Sequence, residues 1–387
     1  MPTRSCSGPA AAPPAAEENH DAAGERSSPA AATENRYRRS HPADYGAAVR
    51  DPALLPKAHL HVHLESTVRW DTLRELGRAN GVAVPDRPAG FTGFRQFADH
   101  NSLVRHCLVR PADFTRVARE FCHDEAAQGT RYAEVTFTAA SHGERLGAPE
   151  MPLEAVLEGL ALGQAETGLR CRVLLDHSRR RSVRRAWRTL HLATRYDEVA
   201  GIGMAGEESY PLEPFADVLD AARDAGVALV HHAGEACGAD SIREAIHTGH
   251  AQRIGHGIRV LDDPALTAEI RDRGIALEVC PSSNVLLGFA ASPDAHPLAH
   301  MRAAGLAVTV NTDIPAIAGT TLTDEYALVR DTFGYDDHDL AALARTAVQA
   351  CFADEQTKRD LHHGIDAWLA APAADTSVHN GSDITVR

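Results

Sequence analysis

Eight short β-rich runs, separated by helical patterns, occupy most of this 387-residue chain. They are 58–63 (AHLHVH), 131–137 (RYAEVTF), 171–176 (CRVLLD), 199–205 (VAGIGMA), 227–232 (VALVHH), 252–256 (QRIGH), 275–280 (IALEVC) and 306–312 (LAVTVNT). Between them, Phe215, Val218, Leu219 and Ala222 fall at i, i+3, i+4 and i+7, and Gly226 follows as a stop. Ser241 and Glu244 read as a capping box ahead of Ile246, with Gly249 ending that helix. Pro264 fits a first helical position after Asp263, and Gly274 closes the helix. Eight strand-then-helix units predict an α/β fold, a (β/α)₈ TIM barrel whose chemistry sits at the C-terminal ends of the strands. An open doubly wound sheet is the competing fold, but no Gly-rich fingerprint follows an early strand. The segment from Trp70 to Val109, with Phe91, Phe94 and Phe97, is too long for a plain crossover and predicts a helical lid insertion after strand 1. Residues 336–369 read as closing helices, with Leu340, Leu343, Ala347 and Val348 on one face.

Residues 1–50 are rich in Ala, Pro, Glu and Ser and lack apolar periodicity, so a disordered tail is expected there and again over 373–387. One catalytic barrel is expected over 51–372. The formal charge is −14, and residues 1–50 are neutral with six Arg against six acids, so the folded part is acidic. Such a body argues against nucleic acid or an anionic membrane as the main partner. Seven cysteines show no CxxC spacing, which argues against a disulfide framework or a thiolate metal site. With no apolar h-region and no long apolar run, a soluble cytoplasmic protein is expected.

Side chains alternate along a strand, so His59, His61 and His63 are expected to point into the barrel, His59 deepest and structural. Other strands end at His232 followed by Ala-Gly-Glu235, at His256-Gly257, and at Asn311-Thr312-Asp313. Imidazoles and a carboxylate gathered at one rim suit zinc, with room for a bound water. Alternation cannot choose between the adjacent His231 and His232; the HAGE context favours His232. His177 and the run Ser178–Arg181 read as a solvated loop, and Cys280 as packing.

In order and spacing, the motifs PKAHLHVHLES (56–66), MAGEE (204–208), HHAGEA (231–236), RIGHG (253–257), EVCPSSNV (278–285) and NTD (311–313) resemble the adenosine deaminase family of the amidohydrolase superfamily. The resemblance implies one Zn²⁺ held by His61, His63, His232 and Asp313. It implies that Glu235 protonates the ring nitrogen beside the attacked carbon, that His256 orients and helps deprotonate the water, and that Gly206 offers its N–H to a purine nitrogen. The implied partner is a small aminopurine nucleoside. Zinc chemistry suits this reaction, because the metal lowers the pKa of a water from 15.7 towards about 7. The alternative zinc deaminase signature, H-x-E with P-C-x-x-C, is absent.

Three residues, in two motifs, depart from the family pattern. Ile314 stands where a second Asp usually contacts purine N7, and an unpaired acceptor there costs about 1–3 kcal/mol. Glu65-Ser66 replaces the usual Asp-Gly, which is expected to shift sugar recognition. The alternatives are deamination of another amino-heterocycle (free adenine, a 7-deazapurine or a modified nucleoside), a metal-dependent amidase or phosphoesterase, or a binding protein on the same fold.

Overall fold

The computed structural model describes residues 49–86 and 93–372, the first three residues of the second stretch by their backbone alone. The tails expected to be disordered fall outside the described residues, apart from Val49 and Arg50, as do Phe91 and the side chain of Phe94.

The strands are β1 (Lys57–His63), β2 (Thr130–Phe137), β3 (Arg170–Ser178), β4 (Val199–Ala205), β5 (Ala228–Ala233), β6 (Arg253–His256), β7 (Ala276–Val279) and β8 (Val308–Val310). Each lies within two residues of its expected bounds. They pair in parallel in sequence order. A parallel bridge between Val62 and Asp313 joins the two edges. There Asp313 N donates to His61 O at 2.9 Å and His63 N to Asp313 O at 3.0 Å. The result is the expected (β/α)₈ barrel, its strands apolar because helices cover them outside and side chains fill them inside.

Fifteen helices surround the strands among the described residues. After β1 come α1 (Trp70–Asn80), α2 (Gly93–Cys107) and α3 (Pro111–Ala127). Between β2 and β3 lie α4 (Ala139–Leu146) and α5 (Met151–Thr167), and then α6 (Val183–Ala193), α7 (Ala216–Asp224), α8 (Ala239–His247) and α9 (Pro264–Arg273) follow β3 to β6 in turn. Two short helices, α10 (Pro281–Leu286) and α11 (Leu298–Ala303), connect β7 to β8. The chain closes with α12 (Pro315–Ala318), α13 (Leu322–Phe333), α14 (Asp337–Ala350) and α15 (Glu355–Ala370). Leu340, Leu343, Ala347 and Val348 are all buried, as the periodicity of α14 requires.

Local chemistry sets several boundaries. Asp263 caps α9 by accepting from Ala265 N and Leu266 N, Pro264 opens it, and Gly274 ends it at φ +64°. The capping box expected at Ser241 and Glu244 does not form. Helix α8 starts earlier, after Gly238, so Ser241 lies inside it and Glu244 accepts from Leu212 N at 2.7 Å instead. The Glu side chain answers a buried backbone N–H in the β4–α7 connection, a stronger demand than an exposed helix end.

Candidate active site

Three strand ends and one loop converge on a small volume at the C-terminal rim. Donor atoms of His61, His232, His256 and Asp313 all lie within 4.8 Å of one another. His63 joins them: its Nε2 is 3.1 Å from His232 Nε2 and 3.3 Å from Asp313 Oδ1. His61 Nε2 lies 3.5 Å from the same Asp313 oxygen. Both His256 and Asp313 adopt positive φ, +66° and +60°, strained for non-glycine residues and found where side chains must be aimed. Gly255, beside His256, makes room for the cluster, since a Cβ there would sit 2.7 Å from His61 Cε1.

A second layer orients these groups. Glu278 on β7 faces His61 Nδ1 at 2.9 Å, and its other oxygen accepts from Arg253 Nε at 2.6 Å. The Arg253 guanidinium crosses the barrel interior to Glu134 on β2, at 2.5 Å, and stacks over Phe352 at 4.1 Å. Ser283 Oγ donates to Asp313 Oδ2 at 2.6 Å. Asn284 donates to Glu235 Oε1 at 3.0 Å, lies 3.2 Å from His256 Nδ1, and is itself held by His296 at 3.1 Å. Glu208 accepts from the N–H groups of Gly234, Glu235, Ala236 and Cys237, which fixes the turn that carries Glu235.

The residues fit a zinc ion. His61 Nε2 is buried with no hydrogen-bond partner, while the Nδ1 contact to Glu278 has the carboxylate–histidine form that orients metal ligands. Burial opposes charge on His61, yet hydrogen bonds and fields from Asp313 and Glu278 raise its pKa to about 10. A field that holds a proton there also favours a cation. Burial, then the neighbouring imidazoles, push His232 well below the usual histidine range, and burial with His61 lowers His256 to about 3. Neutral imidazoles are the form that ligates metals and accepts protons. Glu235 moves the other way: burial, then Asp313 and Glu208, raise its pKa well above the carboxylate range.

Gly206, at φ +83°, follows β4 so closely that a Cβ would sit 2.9 Å from Ser178 Oγ. His231 is structural, accepting from Met204 N at 3.0 Å and facing Gly249 O at 2.8 Å. His59 is buried and structural too, but it is not stacked beneath His61. It pairs with Glu125 of α3 at 3.0 Å, and the β1–β2 register is irregular between His59 and Val62, which interrupts the alternation. Cys280 is buried in packing. Glu65 is buried, its Oε1 held by Thr138 N at 3.2 Å and His142 Nε2 at 3.1 Å. Ile314 is fully buried, its N bonded to Thr312 O at 2.7 Å. His177 is buried rather than part of a solvated loop.

The family model for adenosine deaminase matches residues 56–368. The chain belongs to the adenosine deaminase family. A putative adenosine/adenine deaminase from Streptomyces coelicolor is 34% identical over 340 residues, covering 84% of this chain and 99% of that protein. The crystal structure of adenine deaminase from Arthrobacter aurescens superposes with a TM-score of 0.78 at 30% identity, over 82% of this chain and all of that one (100%). An amidohydrolase from Burkholderia ambifaria, solved with bound Zn, gives 0.73 at 26% identity, over 82% and 94% of the two chains. This adenosine deaminase family member is therefore a zinc-dependent hydrolytic deaminase that cleaves a C–N bond. Among the described residues no helix is long and apolar enough to cross a membrane.

Proposed function

We propose that the chain deaminates an aminopurine nucleoside, adenosine or a close analogue, releasing ammonia. The convergence of His61, His63, His232, His256 and Asp313 beside a buried, proton-retaining Glu235 is the observation that carries this reading. His61, His63, His232 and Asp313 would hold the zinc, which supplies the Lewis acidity that makes a water nucleophilic near neutral pH. His256 accepts the water's proton and orients it towards the amino-bearing carbon. Glu235, kept protonated by burial, gives its proton to the adjacent ring nitrogen as charge builds there. Gly206 offers its N–H to another ring nitrogen. Water adds to the carbon, the C–N bond breaks, and ammonia leaves with the proton returned to it.

The substrate-side expectations are refined by the surroundings. Glu65 acts through its neighbours, bracing the turn after β1 against α4 through His142, because both of its contacts are already inside the protein. Ile314 places an apolar wall where N7 of adenosine would otherwise meet a donor. Ammonia release by the zinc-loaded protein over adenosine, adenine and 7-deazaadenosine, with a panel of pterins and pyrimidines, tests the reading. Turnover of an aminopurine is expected, with adenosine and its 7-deaza analogue within a factor of about 100, the range an unpaired acceptor allows. Zinc bound stoichiometrically with no turnover across the panel would replace the reading with a binding role.

A further inference from the structure

The two β1 histidines at the rim stand in different surroundings. His61 turns Nε2 to Asp313 and Nδ1 to Glu278, the latter at 2.9 Å. His63 turns Nε2 into the same cluster, 3.1 Å from His232 Nε2 and 3.3 Å from Asp313 Oδ1. Its other ring nitrogen faces away from the ligands, and there it meets Asp176 near the end of β3, with Nδ1 3.9 Å from Oδ2. The proposed chemistry makes no use of Asp176.

This carboxyl group has few other partners. Asp176 is buried, and its Oδ1 has no hydrogen-bond partner. Its register partner on β4 is Gly203, so no side chain from that position meets it. With His61, His232 and Glu278 it lines a cavity of about 10 Å³ inside the barrel, room for no more than a water. A buried carboxyl oxygen left unmet costs free energy, so a compensating use is expected.

At 3.9 Å the contact with His63 is electrostatic rather than a hydrogen bond. It still separates the two neutral tautomers of the ring. With the proton on Nδ1, an N–H faces the carboxyl oxygen and the Nε2 lone pair faces the ligand cluster. With the proton on Nε2, two lone pairs face each other and the N–H points into the metal site, where it would block a ligand bond. Carboxyl groups behind ligating imidazoles fix tautomer and ring orientation in this way.

We propose that Asp176 is a positioning residue for His63, holding the Nδ1–H tautomer and the ring orientation that leave the Nε2 lone pair for zinc. The proposal rests on the reading of His63 as a zinc ligand and is independent of which purine is the substrate. Glu278 serves His61 in the same manner at shorter range, so Asp176 is the weaker of the two braces.

Zinc dissociation constants of the full chain, from chelator competition, would be compared for the unaltered protein, Asp176→Asn, Asp176→Leu, His63→Ala and the double variant of Asp176→Leu with His63→Ala. Asp176→Leu is expected to weaken zinc binding about tenfold, and Asp176→Asn, which keeps an oxygen for Nδ1, by less than about threefold. In the His63→Ala background the Asp176→Leu effect should vanish, because the residue acts through that ring, whereas a packing defect would persist. In the zinc-loaded chain carrying isotopically labelled histidine, nuclear magnetic resonance should show the His63 proton on Nδ1, and that proton should exchange faster with water in Asp176→Leu. Unchanged zinc affinity in Asp176→Leu would overturn the proposal, as would an equal loss in the His63→Ala background. Unchanged affinity in His63→Ala would remove His63 from the ligand set and overturn the proposal together with the reading beneath it.

Discussion

Two halves of one barrel rim treat buried polar groups in opposite ways. Around β5–β8 nearly every such group is answered: His61 by Glu278, Glu278 by Arg253, Asp313 by Ser283, and His256 and Glu235 by Asn284. At the ends of β2 and β3, His177, Asp176, Arg105 and Arg145 keep unpaired atoms. Two buried histidines make the contrast concrete. Burial lowers the pKa of each to about 4, yet both nitrogens of His231 are bonded and neither of His177 is. Groups that must hold one geometry through every turnover are braced by protein, and the β2–β3 edge lacks that bracing.

The largest effect should follow from the braced half. Glu235→Gln removes the proton donor and is expected to lower kcat by about 10²–10⁴-fold with zinc content unchanged, measured by ammonia release beside metal analysis. An equal rate in that variant would remove Glu235 from the chemistry. Arg253→Leu should come next: it strands Glu134 and Glu278 inside the barrel, and about 3–5 kcal/mol of unfolding free energy should be lost in denaturant titration. Glu278→Gln tests the orientation of His61 more gently, with zinc affinity falling about 10- to 100-fold in a chelator competition.

The histidine pair sharpens the comparison at lower energy. His231→Leu leaves the Met204 N–H and Gly249 carbonyl unpaired and should cost about 1–3 kcal/mol per group, while His177→Leu should cost less than about 1 kcal/mol. Similar losses at both positions would erase the distinction between the halves.

A pH-dependent effect concerns Glu325 on α13, which accepts from Ser282 N and Thr320 Oγ1 next to the braced half. Burial raises its pKa from 4.5 to about 7. An acid whose folded pKa is raised stabilises the fold fully below its unfolded value, and that contribution disappears as pH rises through the folded one. Stability should therefore decline between about pH 4.5 and 7, by at most about 3 kcal/mol from this group, and Glu325→Gln should flatten that part of the profile.

Much of this was legible in the chain. Strand patterning places all eight strands, because parallel strands covered on both faces leave short apolar runs that turns and helices punctuate. The rim histidines, Asp313 and Glu235 were equally visible, since strand ends in a barrel share one face. The bracing was harder to see: Glu134, Arg253 and Glu278 are far apart in sequence, and only the closed barrel brings them together. A signal existed, as a charged residue inside an apolar strand requires a buried partner. Ser241 and Glu244 misled because a local cap competes with tertiary demand, and Leu212 N won the carboxylate. The orphaned edge at β3 resembled a solvated loop because three consecutive arginines usually are one, and burial of His177 depends on Phe215 packing against it from the next connection at 5.3 Å.

The account rests on a metal centre that performs deamination, so the decisive measurement is ammonia release from adenosine and adenine by the protein before chelation, after it, and after zinc is restored, with bound metal quantified at each stage. One zinc per chain, activity lost on its removal and regained on its return, is the predicted result. Turnover that survives removal of the metal would contradict it.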